Sequence, residues 1–119
     1  MHEIGMCESV LAAVERRAAG RPVAGLTVRV GALLRVVPEA FAQSFELVAA
    51  GSVADGATPE LVIVPVRGRC DSCGATFESH DAVPVCPACD SVTVTRTGGD
   101  ELVLESIRYY SAVAPAERS

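Results

Sequence analysis

RCDSCGATFESHDAVPVCPACDS, residues 69–91, decides how the rest of the chain is to be read. It holds four of the five cysteines, as two C-x-x-C pairs, Cys70/Cys73 and Cys86/Cys89, with twelve residues between them. Two residues between thiolates let both sulfurs of a tight knuckle face one ion, and two facing knuckles close a tetrahedron. Gly74, directly after the second cysteine, relieves the first turn, and the twelve intervening residues suffice for a short hairpin bounded by Gly74 and Pro84. A redox C-x-x-C would occur once, at a strand-to-helix junction, and stable disulfides belong to oxidising compartments. The spacing therefore predicts a structural Zn(II) held by Cys70, Cys73, Cys86 and Cys89. Four sulfurs leave no open position on the metal, so such a site holds a fold together and does not catalyse.

Outward from this insert the chain alternates helices and strands. Upstream, Val10, Leu11, Val14 and Ala18 form the stripe of an amphipathic helix over 6–19, closed by Gly20 and Pro22. LTVRV, residues 26–30, has the period of a half-buried strand. A second helix starts at Pro38, with Glu39 in its first turn, aligns Phe41, Phe45 and Val48, and stops at Gly51. LVIVPV, residues 61–66, suits a strand buried on both faces, with Pro65 kept to an end or an edge. Downstream, the turn Gly98-Gly99-Asp100 introduces a last strand over 101–109. Counting a short strand at the N-terminus, the order is strand, helix, strand, helix, strand, insert, strand. The expected class is α/β: a small mixed three-stranded sheet with two helices, plus an inserted zinc-ribbon-like domain. The expected boundaries are 1–66 and 95–110 for the α/β part, 67–94 for the insert and 111–119 for a disordered tail.

Composition narrows the partners. The 119 residues carry 15 acidic and 10 basic side chains, a net charge of -5, and every basic residue is arginine. Within 67–94, two arginines stand against four carboxylates, and Phe77 is the only aromatic residue. A nucleic-acid-binding or scaffolding zinc ribbon is the alternative function, but such modules cluster cations and aromatics about the knuckles. No nucleic-acid partner is expected. No apolar run reaches the length of a membrane span, and no signal peptide is evident, so a cytoplasmic protein without a membrane partner is expected. With two histidines and a closed metal site, no nucleophile and base come together, so no catalytic residues are assigned.

The lone Cys7 reads as a small packed hydrophobe, although a cysteine near a helix start can also have a lowered pKa. His80 reads as a surface residue or a hydrogen-bond donor beside the metal, with a ligand-replacing role as the sharper alternative. His2 is open to two readings: an inconsequential residue at a frayed end, or a chelator. The Met1 α-amine, the His2 backbone nitrogen and the His2 imidazole can close adjacent five- and six-membered rings on one ion. Such a planar nitrogen set suits Ni(II) or Cu(II), and Glu3 offers a fourth donor. Imidazole takes up its proton near about pH 6.5, so this site would release metal on acidification.

MHE at the start, CES after it, RVGAL followed by VPEAF, FELVAAGS, the paired C-x-x-C insert and GGDELVLESI occur in one order over residues 1–109. In this the chain resembles the HypA/HybF nickel metallochaperones of hydrogenase maturation. The resemblance implies a Ni(II)-binding α/β domain with an inserted zinc domain. It implies a transient nickel cargo bound weakly through His2, with Met1 and Glu3 completing the site, and zinc on Cys70, Cys73, Cys86 and Cys89. It further implies delivery into the large-subunit precursor of [NiFe]-hydrogenase with a HypB-type GTPase, in some organisms also into the urease pathway, by a monomer or weak homodimer. Where the family commonly has two non-glycine residues before a Leu, this chain reads IGM at 4–6, and Gly5 is expected to loosen the join of the first strand and helix.

Overall fold

The computed structural model describes residues 2–81 and 84–110, and for His2 the backbone alone. Its elements are α1 (His2–Ala18), β1 (Val23–Gly31), a short 3-10 turn (Ala32–Leu34), α2 (Pro38–Ala49), β2 (Thr58–Val64), β3 (Val66–Cys70), β4 (Thr76–Ser79), β5 (Val94–Thr97) and β6 (Leu102–Tyr109). They form two three-stranded sheets, β2-β1-β6 and β4-β3-β5. The described chain divides into two compact units. One holds the residues up to Val28, Val37–Leu61 and those from Val103; the other holds Arg29–Val36 and Val62–Leu102.

The expected N-terminal strand is absent among the described residues, because the first helix begins at His2. Cys7, Val10, Val14 and Ala18 are all buried, so the apolar stripe read from Val10 runs back one turn to Cys7, and the helix itself starts four residues ahead of its predicted start at residue 6. Glu3, an acidic residue in the first turn, is the sequence signal for that earlier start. Gly5 accordingly lies exposed inside α1 and joins no strand to a helix. The helix ends where Ala19 and Gly20 both turn left-handed, at φ 51° and 89°.

Helix α2 begins at Pro38, as its sequence predicts, and its buried face is Phe41, Phe45 and Ala49. Val48, expected on that face, is half-buried, because a four-residue step from Phe45 lands on Ala49. The Phe41 and Phe45 rings lie 6.3 Å apart and nearly parallel, at 8°. Cys7 is fully buried, and its thiol donates to the Phe41 carbonyl oxygen at 3.5 Å, across the α1–α2 packing. Burial first, and the Glu3 carboxylate second, push this thiol up to about 11. It therefore stays protonated at neutral pH and behaves as the packed hydrophobe its sequence suggested.

The run at 61–66 is not one strand. Pro65, which has no N–H to give to a ladder, separates β2 from β3. Nor is β2 buried on both faces: its residues alternate, with Glu60 and Val62 exposed, as befits a strand at the edge of its sheet.

Within the second unit, Gly31 donates its N–H to the Glu101 carbonyl oxygen at 2.8 Å, and Leu33 donates to that of Gly99 at 2.7 Å. Glu101 returns a carboxylate oxygen to the Gly99 N–H at 2.7 Å, which ties the turn that precedes β6. Its own backbone N–H and that of Gly99, with the Arg29 and Arg67 charges nearby, hold this carboxyl below the usual carboxylate range. A Cβ on Gly31 would overlap the Gly99 carbonyl and meet the Asp100 nitrogen at 2.5 Å. Because backbone on both sides has nowhere to move, Gly31→Ala is expected to destabilise the protein by about 1–3 kcal/mol. Urea unfolding measures this, and an unchanged midpoint would show that the turn yields freely.

Candidate metal centre

The two cysteine pairs stand on two knuckles of matching construction. In the first, β3 delivers Cys70, the Cys73 N–H points at the Cys70 sulfur at 3.4 Å, and the Gly74 N–H donates to the Cys70 carbonyl oxygen at 2.9 Å. In the second, the Ala88 N–H points at the Cys86 sulfur at 3.4 Å, and the Asp90 N–H donates to the Cys86 carbonyl oxygen at 2.8 Å. Gly74 and Asp90 each follow the second cysteine of a pair and are both left-handed, at φ 79° and 64°. Glycine takes that conformation without strain, and aspartate is among the side chains that tolerate it. The first knuckle also reverses the chain from β3 into β4, which pair antiparallel with Arg67 opposite Glu78. The hairpin expected within the twelve residues between the pairs is therefore absent among the described residues. The partner of β4 lies ahead of Cys70, because the knuckle itself is the turn.

All four sulfurs lie within 4.8 Å of one another. Two approaches join the knuckles, Cys70 to Cys89 and Cys73 to Cys86, each at 3.6 Å. In a tetrahedral site with zinc–sulfur bonds of about 2.3 Å, the sulfurs stand roughly 3.8 Å apart, so these distances fit one ion at the centre. All five cysteines are free thiols in this structure. Cys70 and Cys86 are buried, whereas Cys73 and Cys89 face outward.

Four thiols this close cannot all shed their protons without a cation. The Cys73 N–H, foremost among several donors, pulls the Cys70 thiol down to about 6. For Cys89 the largest influence is the lowering Ser91 N–H, but the Cys70 sulfur, burial and the remaining sulfurs outweigh it and push the thiol up to about 12. Cys73 is likewise raised, because the Cys86 sulfur and burial outweigh the Ala75 N–H. A divalent cation removes this conflict by stabilising every thiolate at once.

Polar side chains that the cysteine spacing does not reveal brace the knuckles. Ser72 and Ser91, one beside each pair, meet hydroxyl to hydroxyl at 3.3 Å. The Thr95 hydroxyl donates to an Asp71 carboxylate oxygen at 2.8 Å, and the Asp71 N–H donates to the Thr93 carbonyl oxygen at 3.0 Å. Asp71 and Ser72 within the first pair, and Asp90 and Ser91 just after the second, are the sequence signal for them.

His80 lies exposed just beyond β4 and is not part of the four-cysteine cluster. Glu3 is half-buried in the first turn of α1. Met1, the His2 side chain and the tail 111–119 lie outside the described residues. None of the helices is long and apolar enough to cross a membrane among the described residues.

The chain matches, over residues 1–109, the family described as "Hydrogenase/urease nickel incorporation, metallochaperone, hypA". A hydrogenase maturation factor HypA of Geobacter sulfurreducens is 35% identical over 107 residues, covering 90% of this chain and 97% of the relative. Another, from Picosynechococcus, is 40% identical over 111 residues, with 90% and 97% covered. The solution structure of the nickel metallochaperone HypA from Helicobacter pylori superposes with a TM-score of 0.62 at 25% identity, covering 90% of this chain and 96% of that one.

Proposed function

Because this chain belongs to the HypA family of nickel-incorporation metallochaperones, we propose that it carries Ni(II) at its N-terminus and delivers it during hydrogenase maturation, with Zn(II) as a resident structural metal. The observation that carries this reading is the family match itself, which runs from residue 1 to residue 109 and so includes both MHE and the cysteine pairs.

Zinc is assigned to Cys70, Cys73, Cys86 and Cys89, whose four-sulfur donor set and separations suit that ion. It supplies a crosslink between two knuckles and no reactive position. Nickel, the cargo, is assigned to the Met1 amine, the His2 backbone nitrogen and imidazole, and Glu3. Helix α1 begins at His2, and the first N–H groups of a helix have no intrahelical partner. The His2 nitrogen can therefore enter a chelate without breaking a helical hydrogen bond. The same helix end carries partial positive charge, which weakens the hold on a cation, while the Glu3 carboxylate offsets part of it. A modest affinity of this kind suits a carrier, which must release its cargo by ligand exchange. The large-subunit precursor of [NiFe]-hydrogenase is the acceptor in this proposal, a HypB-type GTPase the co-delivering partner, and the cytoplasm the place. In organisms with urease, that pathway is a second destination.

Nickel titration of the untagged protein beside His2→Ala tests the reading. One zinc per chain is expected in both, with nickel binding lost only in the variant. Acetylation of the Met1 amine is expected to weaken nickel binding strongly as well, since it removes the amine from the chelate. Unchanged nickel stoichiometry in both altered proteins would overturn the assignment.

A further inference from the structure

The β4-β3-β5 sheet exposes one face along β3 and buries the other. Strand β3 is central, and its residues alternate, with Val66, Gly68 and Cys70 buried and Arg67 and Arg69 exposed. Register then surrounds each arginine. Arg67 stands between Glu78 on β4 and Thr97 on β5, and Arg69 between Thr76 and Thr95. An open groove of about 500 Å³ runs along this face, lined by Arg67, Arg69, Thr76, Glu78 and Thr97 over the backbone of Gly68 and Phe77.

The charge in this groove runs against that of the chain. The protein carries a net charge of -5, yet two guanidinium groups stand side by side here on one strand. They are not equivalent. Arg67 faces Glu78 across the ladder and lies near enough to Glu101 to help hold that carboxyl ionised. Both cross-strand neighbours of Arg69 are threonines. A guanidinium flanked by hydroxyls presents its forked donors to a planar carboxylate, and no hydrogen bond or ion pair to a carboxylate is made by Arg69 among the described residues.

We propose that this groove binds an extended acidic peptide segment of a partner protein, with one carboxylate on Arg69 and the next alternate one on Arg67. Alternate side chains of a strand stand about 6.8 Å apart, so an extended peptide laid along β3 repeats the spacing of the two arginines. The lining disfavours a nucleic acid. Polyanion affinity grows with the number of cations that neutralise phosphates, and this groove has two arginines with Glu78 among them. The proposal goes beyond the nickel reading and does not depend on it.

The test is an NMR titration of the full-length, zinc-loaded protein with an acetylated and amidated hexapeptide that alternates glutamate and serine. Saturable amide shifts are expected at Arg69, Thr76 and Thr97. Removing a charge-assisted, forked pair in Arg69→Ala is expected to weaken binding by about tenfold. Arg96→Ala removes the same charge from β5, but Arg96 pairs with Gly68 and so lies on the opposite face. It is expected to change the affinity less than twofold, by roughly the small effect of a distant surface charge. Should Arg69→Ala lose its dispersed spectrum, Arg69→Gln gives the same comparison. The proposal is overturned by the absence of saturable shifts up to millimolar peptide, by equal binding of the glutamine–serine peptide, or by equal weakening in the Arg69 and Arg96 variants. It is also overturned if a hexanucleotide binds more tightly through Arg69, which would give the groove to phosphodiesters.

Discussion

Cys86→Ser is expected to abolish zinc binding and, with it, the folded state of the second unit. Cys86 is fully buried, and its sulfur lies 3.6 Å from that of Cys73, so no neighbouring donor can take its place without moving a knuckle. Serine fills nearly the same volume, but its hydroxyl stays protonated and is a poor replacement for a thiolate on zinc. The described apolar core of this unit is small: Val30, Val64 and Val66 are buried, together with Cys70 and Cys86, which are themselves among the proposed zinc ligands. Structural zinc contributes about 10–16 kcal/mol in small zinc-dependent folds, more than three buried valines supply at about 1.5–3 kcal/mol each. The measurement pairs zinc content with an NMR spectrum. Zinc should fall from one per chain to none, and the dispersed resonances of β3, β4 and β5 should collapse. Chelation of the wild-type protein should reproduce the loss. A dispersed spectrum without zinc would mean that apolar packing alone holds this sheet.

Phe41→Ala is the second large effect, and it acts on the other unit. Phe41 is fully buried, stacks on Phe45 and accepts the Cys7 thiol hydrogen bond at its carbonyl oxygen. Truncation removes the ring and leaves a cavity between α1 and α2, at an expected cost of about 3–5 kcal/mol. Leu47 is the control. It sits on the same helix and is 73% exposed, so Leu47→Ala should shift stability by no more than about 0.5 kcal/mol. Urea unfolding of the two variants separates the outcomes, and similar losses in both would contradict the assigned helix face.

Local signals account for most of what was readable in advance. Pro38 starts α2 and Gly51 ends it for reasons contained in those residues: a preset φ in the first case and a left-handed turn, φ 80°, in the second. The four cysteines are readable in the same way, because two residues between sulfurs is a property of a single knuckle. The start of α1 was harder to read, since Cys7 extends the helical period by only one turn beyond Val10. LVIVPV misled as well. Its apolar residues are those of a buried strand, and nothing in the run itself says that Val62 faces outward from an edge.

The sequence by itself determined the four cysteines that cluster, both helices as elements and the family to which the chain belongs, because each rests on spacing within a few residues or on the order of such motifs. Only the tertiary structure decided which strands share a sheet. The pairing of β3 with both β4 and β5 depends on a chain reversal at the first knuckle and on the return of the chain after the second. That pairing places Thr76, Glu78 and Thr97 around Arg67 and Arg69 and makes a groove of residues that composition shows merely as two arginines in an acidic segment. Side-chain alternation belongs to the strand, but the neighbours across a ladder are set by contacts between distant parts of the chain.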